Sequence, residues 1–127
     1  LRSAPRAVGI ARDYLEANLT ESVSLSALAE LVGLHPLYLI RAFRRAVGLP
    51  PHAYVIQQRV QLAKRQIASG ASLARVAAMT GFADQSHLSR HFRRLVGVPP
   101  GRYARAVGAS VARAEVRIVQ DGRRAAR

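Results

Sequence analysis

Apolar residues recur at steps of three and four along most of this chain, the signature of amphipathic helices. A first helix follows Pro5, where Val8, Ala11, Tyr14, Leu15 and Leu19 form one stripe. Ser24 reads as the N-cap of a short helix with Leu25, Leu28 and Leu31 inward, and Gly33 stops it. Pro36 opens the next helix, about 36–47, where its missing N–H is no loss. In that helix Leu39, Phe43 and Ala46 point one way, and Leu37, Arg41 and Arg44 the other. Gly48-Leu49-Pro50-Pro51 ends it. A longer element, about 51–68, puts Tyr54, Val55, Leu62, Ala63 and Ile67 on one side and ends at Gly70. Its helical residues span about 27 Å.

The pattern then starts again. Ser72 caps a helix in which Leu73, Val76 and Met79 pack, and Gly81 stops it. Asp84 caps a helix to about residue 96, with Leu88, Phe92 and Leu95 inward and Ser86, Arg90 and Arg93 outward. A short last helix contains Tyr103. The repetition extends to single letters. Phe43-Arg44-Arg45-Ala46-Val47-Gly48-Leu49-Pro50-Pro51-His52-Ala53-Tyr54 returns as Phe92-Arg93-Arg94-Leu95-Val96-Gly97-Val98-Pro99-Pro100-Gly101-Arg102-Tyr103. The pattern predicts an all-α fold made of one small helical unit used twice, as one compact domain or two very small ones. Either unit alone would bury too little surface, so both need a shared spine. Val116-Arg117-Ile118-Val119 is the one strand-like run, and it is too short to rank above a tail.

Composition narrows the function. A hydrophobic share of 50% excludes a disordered chain. No apolar run approaches the roughly 20 residues of a membrane span, and no signal-peptide pattern opens the chain. There is no cysteine, hence no disulfide framework, thiolate nucleophile or thiolate metal site, which fits a cytoplasmic setting. The net charge of +13 is unevenly spread. Asp13, Glu16, Glu21 and Glu30 precede Leu31, Glu115 and Asp121 lie in the tail, and Asp84 is the only acid between Leu31 and Ala114. A preference for arginine over lysine does not explain those missing acids. Such a block attracts phosphate or an anionic membrane surface.

A short helix, a glycine turn and a second helix with an arginine-studded outer face make a helix-turn-helix layout. Two such helices on one rigid connector suit successive major grooves of duplex DNA, about 34 Å apart. At Gly81-Phe82-Ala83-Asp84-Gln85-Ser86-His87-Leu88-Ser89-Arg90-His91-Phe92-Arg93-Arg94-Leu95-Val96-Gly97-Val98-Pro99-Pro100-Gly101-Arg102-Tyr103 the chain resembles the AraC/XylS transcription regulators. Leu39, Phe43, Gly48 and Tyr54 match in the first unit, and Arg59 and Ala63 in the connector.

The resemblance covers about residues 5–107. It implies seven helices and two helix-turn-helix subdomains, at about 24–48 and 72–97, joined by the helix at about 51–68. Carried over position by position, it implies base contacts from Leu37, Ile40 and Arg41, and from Gln85, Ser86, Ser89 and Arg90. Phosphate contacts are expected beside these, from His35, Arg44, Arg45, His87, Arg93 and Arg94. Three departures stand out. His35-Pro36 replaces the usual serine cap, Leu37 and Ile40 are apolar where polar residues are common, and Gln66 stands at a usually apolar place. The first unit is therefore expected to read fewer bases by hydrogen bond and to meet thymine methyls instead.

Other readings of the same residues are weaker. Phe43, Phe92, Tyr54 and Tyr103 could stack on bases, but their phase with Leu39 and Leu88 places the phenylalanines in the core. His87 and His91 have the spacing of a zinc pair, but Leu88 stands where a glutamate base would be and no third ligand is evident. No metal or cofactor is expected. Arg59, within the connector, reads as an internal salt-bridge or capping residue. No paired carboxylates, triad or phosphate loop appear, and DNA-alkyl repair would need a cysteine acceptor, so no enzyme activity is expected.

The expected function is sequence-specific duplex DNA binding that regulates transcription, more as activator than repressor, in a nucleoid-associated cytoplasmic setting with RNA polymerase as a partner. The alternative is an architectural protein that coats or bends DNA by charge alone. Because the chain begins at Leu1, an upstream effector-binding or dimerisation domain is expected outside it. The basic tail, 108–127, reads as disordered.

Overall fold

The computed structural model describes residues 3–108, which are helical throughout apart from caps, turns and short connections. The helices are α1 (Ala4–Ala17), α2 (Leu25–Val32), α3 (Pro36–Val47), α4 (Pro51–Ala68), α5 (Leu73–Met79) and α6 (Gln85–Val96). A seventh, α7, starts at residue 100 and is helical to 108. Among the described residues the fold is all-α, with seven helices and no strand. The tail reading from 109 onward, including Val116–Val119, lies outside the described residues.

Local chemistry sets the helix ends. The Ser24 hydroxyl accepts from the Ala27 N–H, Ser72 from Arg75 and Asp84 from His87, so each N-cap supplies a partner that the first turn lacks. His35 does the work of the absent serine, its Nδ1 accepting from the Leu37 N–H at 3.3 Å. α2 and α3 meet at 83° across the turn at Gly33.

Two cores share one helix. The first gathers Ala7, Val8, Ala11 and Leu15 of α1, Leu28, Ala29 and Val32 of α2, Leu39, Ala42 and Phe43 of α3, and Tyr54. The second gathers Ile56, Val60, Ala63 and Ile67 of α4 with Val76, Ala77, Phe82, Leu88 and Phe92. α4 thus gives its first turn to one unit and the rest to the other, as the shared spine. The repeated letters pack alike, Phe43 edge-on to Tyr54 at 5.5 Å and Phe92 to Tyr103 at 5.4 Å.

Several residues placed inward by periodicity are exposed. Leu31 and Met79 follow their predecessors at steps of three, which turn about 60° off the core per step. The buried sets are instead Leu28, Ala29 and Val32, and Val76, Ala77 and Thr80. Ala46 and Leu95, in the last turns of α3 and α6, yield their place to Val47 and Val96, which pack on the cores. Tyr14 is exposed as well, beside the stripe of Val8, Ala11 and Leu15.

Besides Arg59 of α4, Thr80 and Gln66 place polar atoms in the interior. Thr80 is fully buried where the first unit has Val32, and its hydroxyl donates to the Val76 carbonyl at 2.7 Å. Gln66 is less well served, for its Oε1 is buried without a hydrogen-bond partner among the described residues. Gln66→Leu removes that unsatisfied acceptor and is expected to add about 1 kcal/mol of stability. A thermal melt should rise by several degrees, and a fall would show that the amide is satisfied in solution.

Candidate nucleic-acid interface

Each unit presents its second helix outward by the same arithmetic. With Leu39, Ala42 and Phe43 of α3 buried, the opposite face carries Leu37, Arg41 and Arg44, all exposed. With Leu88 and Phe92 of α6 buried, the opposite face carries Ser86, Arg90 and Arg93. Gln85 is exposed at the start of α6, and Arg45 and Arg94 are exposed on the flanks. Ser89 is half-buried. Ile40 is half-buried too, and lines a cavity of about 310 Å³ with Leu25, Leu28, Pro50 and Val55. It therefore stands back from the face that Leu37 and Arg41 share.

The arginines keep their charge available. Among the described residues the single ion pair is Arg12–Glu16, on α1, at 3.4 Å. The Asp84 carboxylate is taken by the His87 N–H at 2.7 Å. No carboxylate therefore neutralises Arg41, Arg44, Arg45, Arg90, Arg93 or Arg94 among the described residues, and unneutralised guanidinium groups are what a phosphate backbone selects.

The histidines are less free than the sequence implied. His35 is exposed, but its Nδ1 caps α3. His87 is half-buried, with Nδ1 accepting from the Ala83 N–H at 3.2 Å and Nε2 lying 3.2 Å from His91 Nε2. A neutral His87 so bonded carries its proton on Nε2, which makes the pair a hydrogen bond and not a chelate. Burial, then His87, Arg94, Arg90 and His52, hold His91 below the usual histidine range.

What fixes the two units to one another is centred on Arg59. Its guanidinium is buried, donating from Nε to the Leu19 carbonyl at 2.8 Å and from Nη2 to the Glu21 carbonyl at 2.9 Å. It also lies over the Phe82 ring, 6.0 Å from the centroid. Arg59 is thus a cap for the segment after α1, not a salt bridge, and burial lowers its pKa. The same segment presses on the turn of the second unit at Gly81. In the first unit the Tyr54 hydroxyl meets Glu16 and Arg12 of α1, and burial foremost raises the phenol's pKa.

One candidate was missed by sequence reasoning. Tyr38 is 52% exposed, one residue from Leu37, which is 59% exposed. The signal was its helical angle, 100° from both Leu37 and Leu39, which sets it on the flank of the buried face of Leu39, Ala42 and Phe43.

Two helix-turn-helix units on a common helix, each turning an unneutralised basic face outward, define a DNA-binding domain. The family described as a helix-turn-helix domain matches residues 28–106. The chain is 36% identical over 76 residues to YbfI of Bacillus subtilis (strain 168), described as an uncharacterized HTH-type transcriptional regulator. That match takes in 60% of this chain and 28% of the relative, so the chain spans under a third of its length. The DNA-binding domain of AdpA, a global transcriptional factor solved in complex with a target DNA, superposes with a TM-score of 0.77 at 28% identity, covering 82% of this chain and 95% of that one. A probable AraC family transcriptional regulator from Rhodopseudomonas palustris CGA009 gives 0.72 at 27%, covering 80% and 97%. This chain belongs to the AraC-type helix-turn-helix family and carries its DNA-binding domain. The curated relatives it matches are described as transcriptional regulators. Among the described residues no single helix is long and apolar enough to cross a membrane.

Proposed function

We propose that this domain binds duplex DNA sequence-specifically, with α3 and α6 in successive major grooves, and that it regulates transcription, as activator more than repressor. The observation that carries this reading is the paired basic face, repeated on α3 and α6 and free of carboxylate partners among the described residues. Arg41 and Arg90, at equivalent places, are assigned to guanine O6 and N7. Gln85, Ser86 and Ser89 read polar base edges, while Leu37 and Ile40 meet thymine methyls. Ile40 reaches them only at its exposed edge. Arg44, Arg45, Arg93 and Arg94 hold phosphates and set register, with His35 and His87 at the margins.

Because the reading residues differ between units, the site has two unlike halves. An upstream effector-binding or dimerisation domain in the intact protein, contact with RNA polymerase and a nucleoid-associated place in the cytoplasm complete the proposal. Selection of bound sites from a random duplex pool tests it. A footprint of about two helical turns is expected. Arg90→Ala should weaken binding to the selected site by about 1–3 kcal/mol and relax preference at one base pair. Arg93→Ala should weaken all sequences alike and reduce the salt slope by about one unit. Equal affinity for every duplex would instead support an architectural role, to which the apolar Leu37 and Ile40 lend some weight.

A further inference from the structure

The second unit holds a hydrogen-bond conflict that the first lacks. His91 Nε2 faces His87 Nε2 at 3.2 Å, and His91 Nδ1 faces Arg94 Nη2 at 3.0 Å. Since Ala83 fixes the His87 proton on Nε2, both neighbours of His91 are donors. A neutral imidazole has one acceptor nitrogen, so one of the two contacts always sets N–H against N–H. His87 cannot withdraw, being half-buried and edge-on to Phe82 at 5.3 Å. His91 is itself stacked on Phe82 at 6.0 Å. Only Arg94, exposed in the last turn of α6, is free to move.

In the first unit Arg45 occupies the corresponding place, with Ala42 for His91 and Tyr38 for His87, so nothing restrains or repels it in this way. We propose, on the strength of the DNA-docking reading above, that His91 is a positioning residue that holds Arg94 only loosely in the free domain, in competition with His87, and gives it up to a backbone phosphate on docking, so that the complex takes up protons. The groups facing His91 are His87, Arg90 and Arg94 of α6 and His52 of α4, with Arg59 of α4 across the Phe82 ring. None is acidic. Burial foremost opposes protonation of His91 in the free domain, and the His87 Nε2–H aimed at it and the guanidinium groups of Arg94 and Arg90 add to that. Moving Arg94 to a phosphate removes one cation and brings an anion nearer, so protonation becomes easier in the complex. Affinity must then rise as pH falls through the interval between the free and bound pKa values of His91.

The test measures binding of the selected duplex, or of a mixed-sequence duplex if no site is preferred, between pH 5.5 and 8. Wild type, His91→Asn, Arg94→Gln and the double variant are compared, with imidazole NMR titration of the free domain alongside. Wild-type affinity should rise several-fold on acidification, within the limit of about tenfold per pH unit for one proton. His91→Asn should flatten that rise. Arg94→Gln should reduce the salt slope by about one unit and raise the His91 pKa in the free, folded domain. Adding His91→Asn to Arg94→Gln should then change the affinity little. A flat wild-type profile, an undiminished pH response in His91→Asn, or an unmoved His91 titration in Arg94→Gln overturns the proposal while DNA docking stands. Failure to bind any duplex at any pH overturns the docking reading, and this one with it.

Discussion

Phe92→Ala is expected to destabilise the domain by about 3–5 kcal/mol, a large fraction of the roughly 5–15 kcal/mol that holds an ordinary domain folded. Phe92 is fully buried, touches Tyr103 of α7 edge-on, and sits where α4, α5 and α6 converge. Its removal leaves a cavity in a core of about nine side chains, with little nearby to collapse into it. The more informative result is how far the damage spreads. α4 supplies Tyr54 to the first core and Ile56 through Ile67 to the second, so fraying α4 should loosen both. Amide hydrogen exchange is expected to quicken in α1–α3 as well as in α5 and α6, and urea unfolding should remain a single transition. If protection in the first unit survived unchanged, the units would be independent and α4 merely a tether. Phe43→Ala is the mirror experiment, with a loss of the same order.

How much of this was legible in the sequence depends on whether a contact is local. Ser24, Ser72 and Asp84 cap, Gly33 and Gly97 terminate, and the phenylalanines point inward, because caps and helical phase are properties of neighbours in the chain. The outward arginines were legible for the same reason. Thr80 was not, since a threonine aligned with Val32 looks polar until its hydroxyl is seen bonded one turn back. Leu31 and Met79 misled because steps of three drift off the core, and Ala46 and Leu95 because a stripe says which way a side chain points, not where the neighbouring helix ends. The His91–Arg94 contact needs tautomers fixed by Ala83, and no spacing rule contains that. Most hidden of all was the joint between the units, which has no counterpart in the repeat. Arg59 carried a family likeness, but its partners are main-chain carbonyls 40 and 38 residues away.

That joint supplies the sharpest contrast, because Gly33 and Gly81 are the same turn in two settings. Both are left-handed, with φ of 72° and 85°. An added methyl at Gly33 meets nothing within 4 Å, so Gly33→Ala should lose only the left-handed penalty of about 1–2 kcal/mol. At Gly81 the same methyl lands 2.8 Å from the Thr20 carbonyl oxygen, 2.9 Å from Thr20 Cα and 3.0 Å from Arg59 Nε. The Thr20 backbone cannot retreat freely, since Arg59 holds the carbonyls of Leu19 and Glu21 on either side of it. Gly81→Ala is therefore expected to lose about 3 kcal/mol or more, the left-handed penalty plus a backbone clash. Denaturant titration of both variants measures the difference, and equal losses would mean that the segment after α1 yields easily. Relief of the clash has to move the α5–α6 turn away from α4 and the segment after α1. α6 then shifts relative to α3, and the folded fraction of Gly81→Ala should lose affinity for the complete site more than for either half alone. Gly33→Ala, which leaves the joint untouched, should keep the ratio of full-site to half-site affinity.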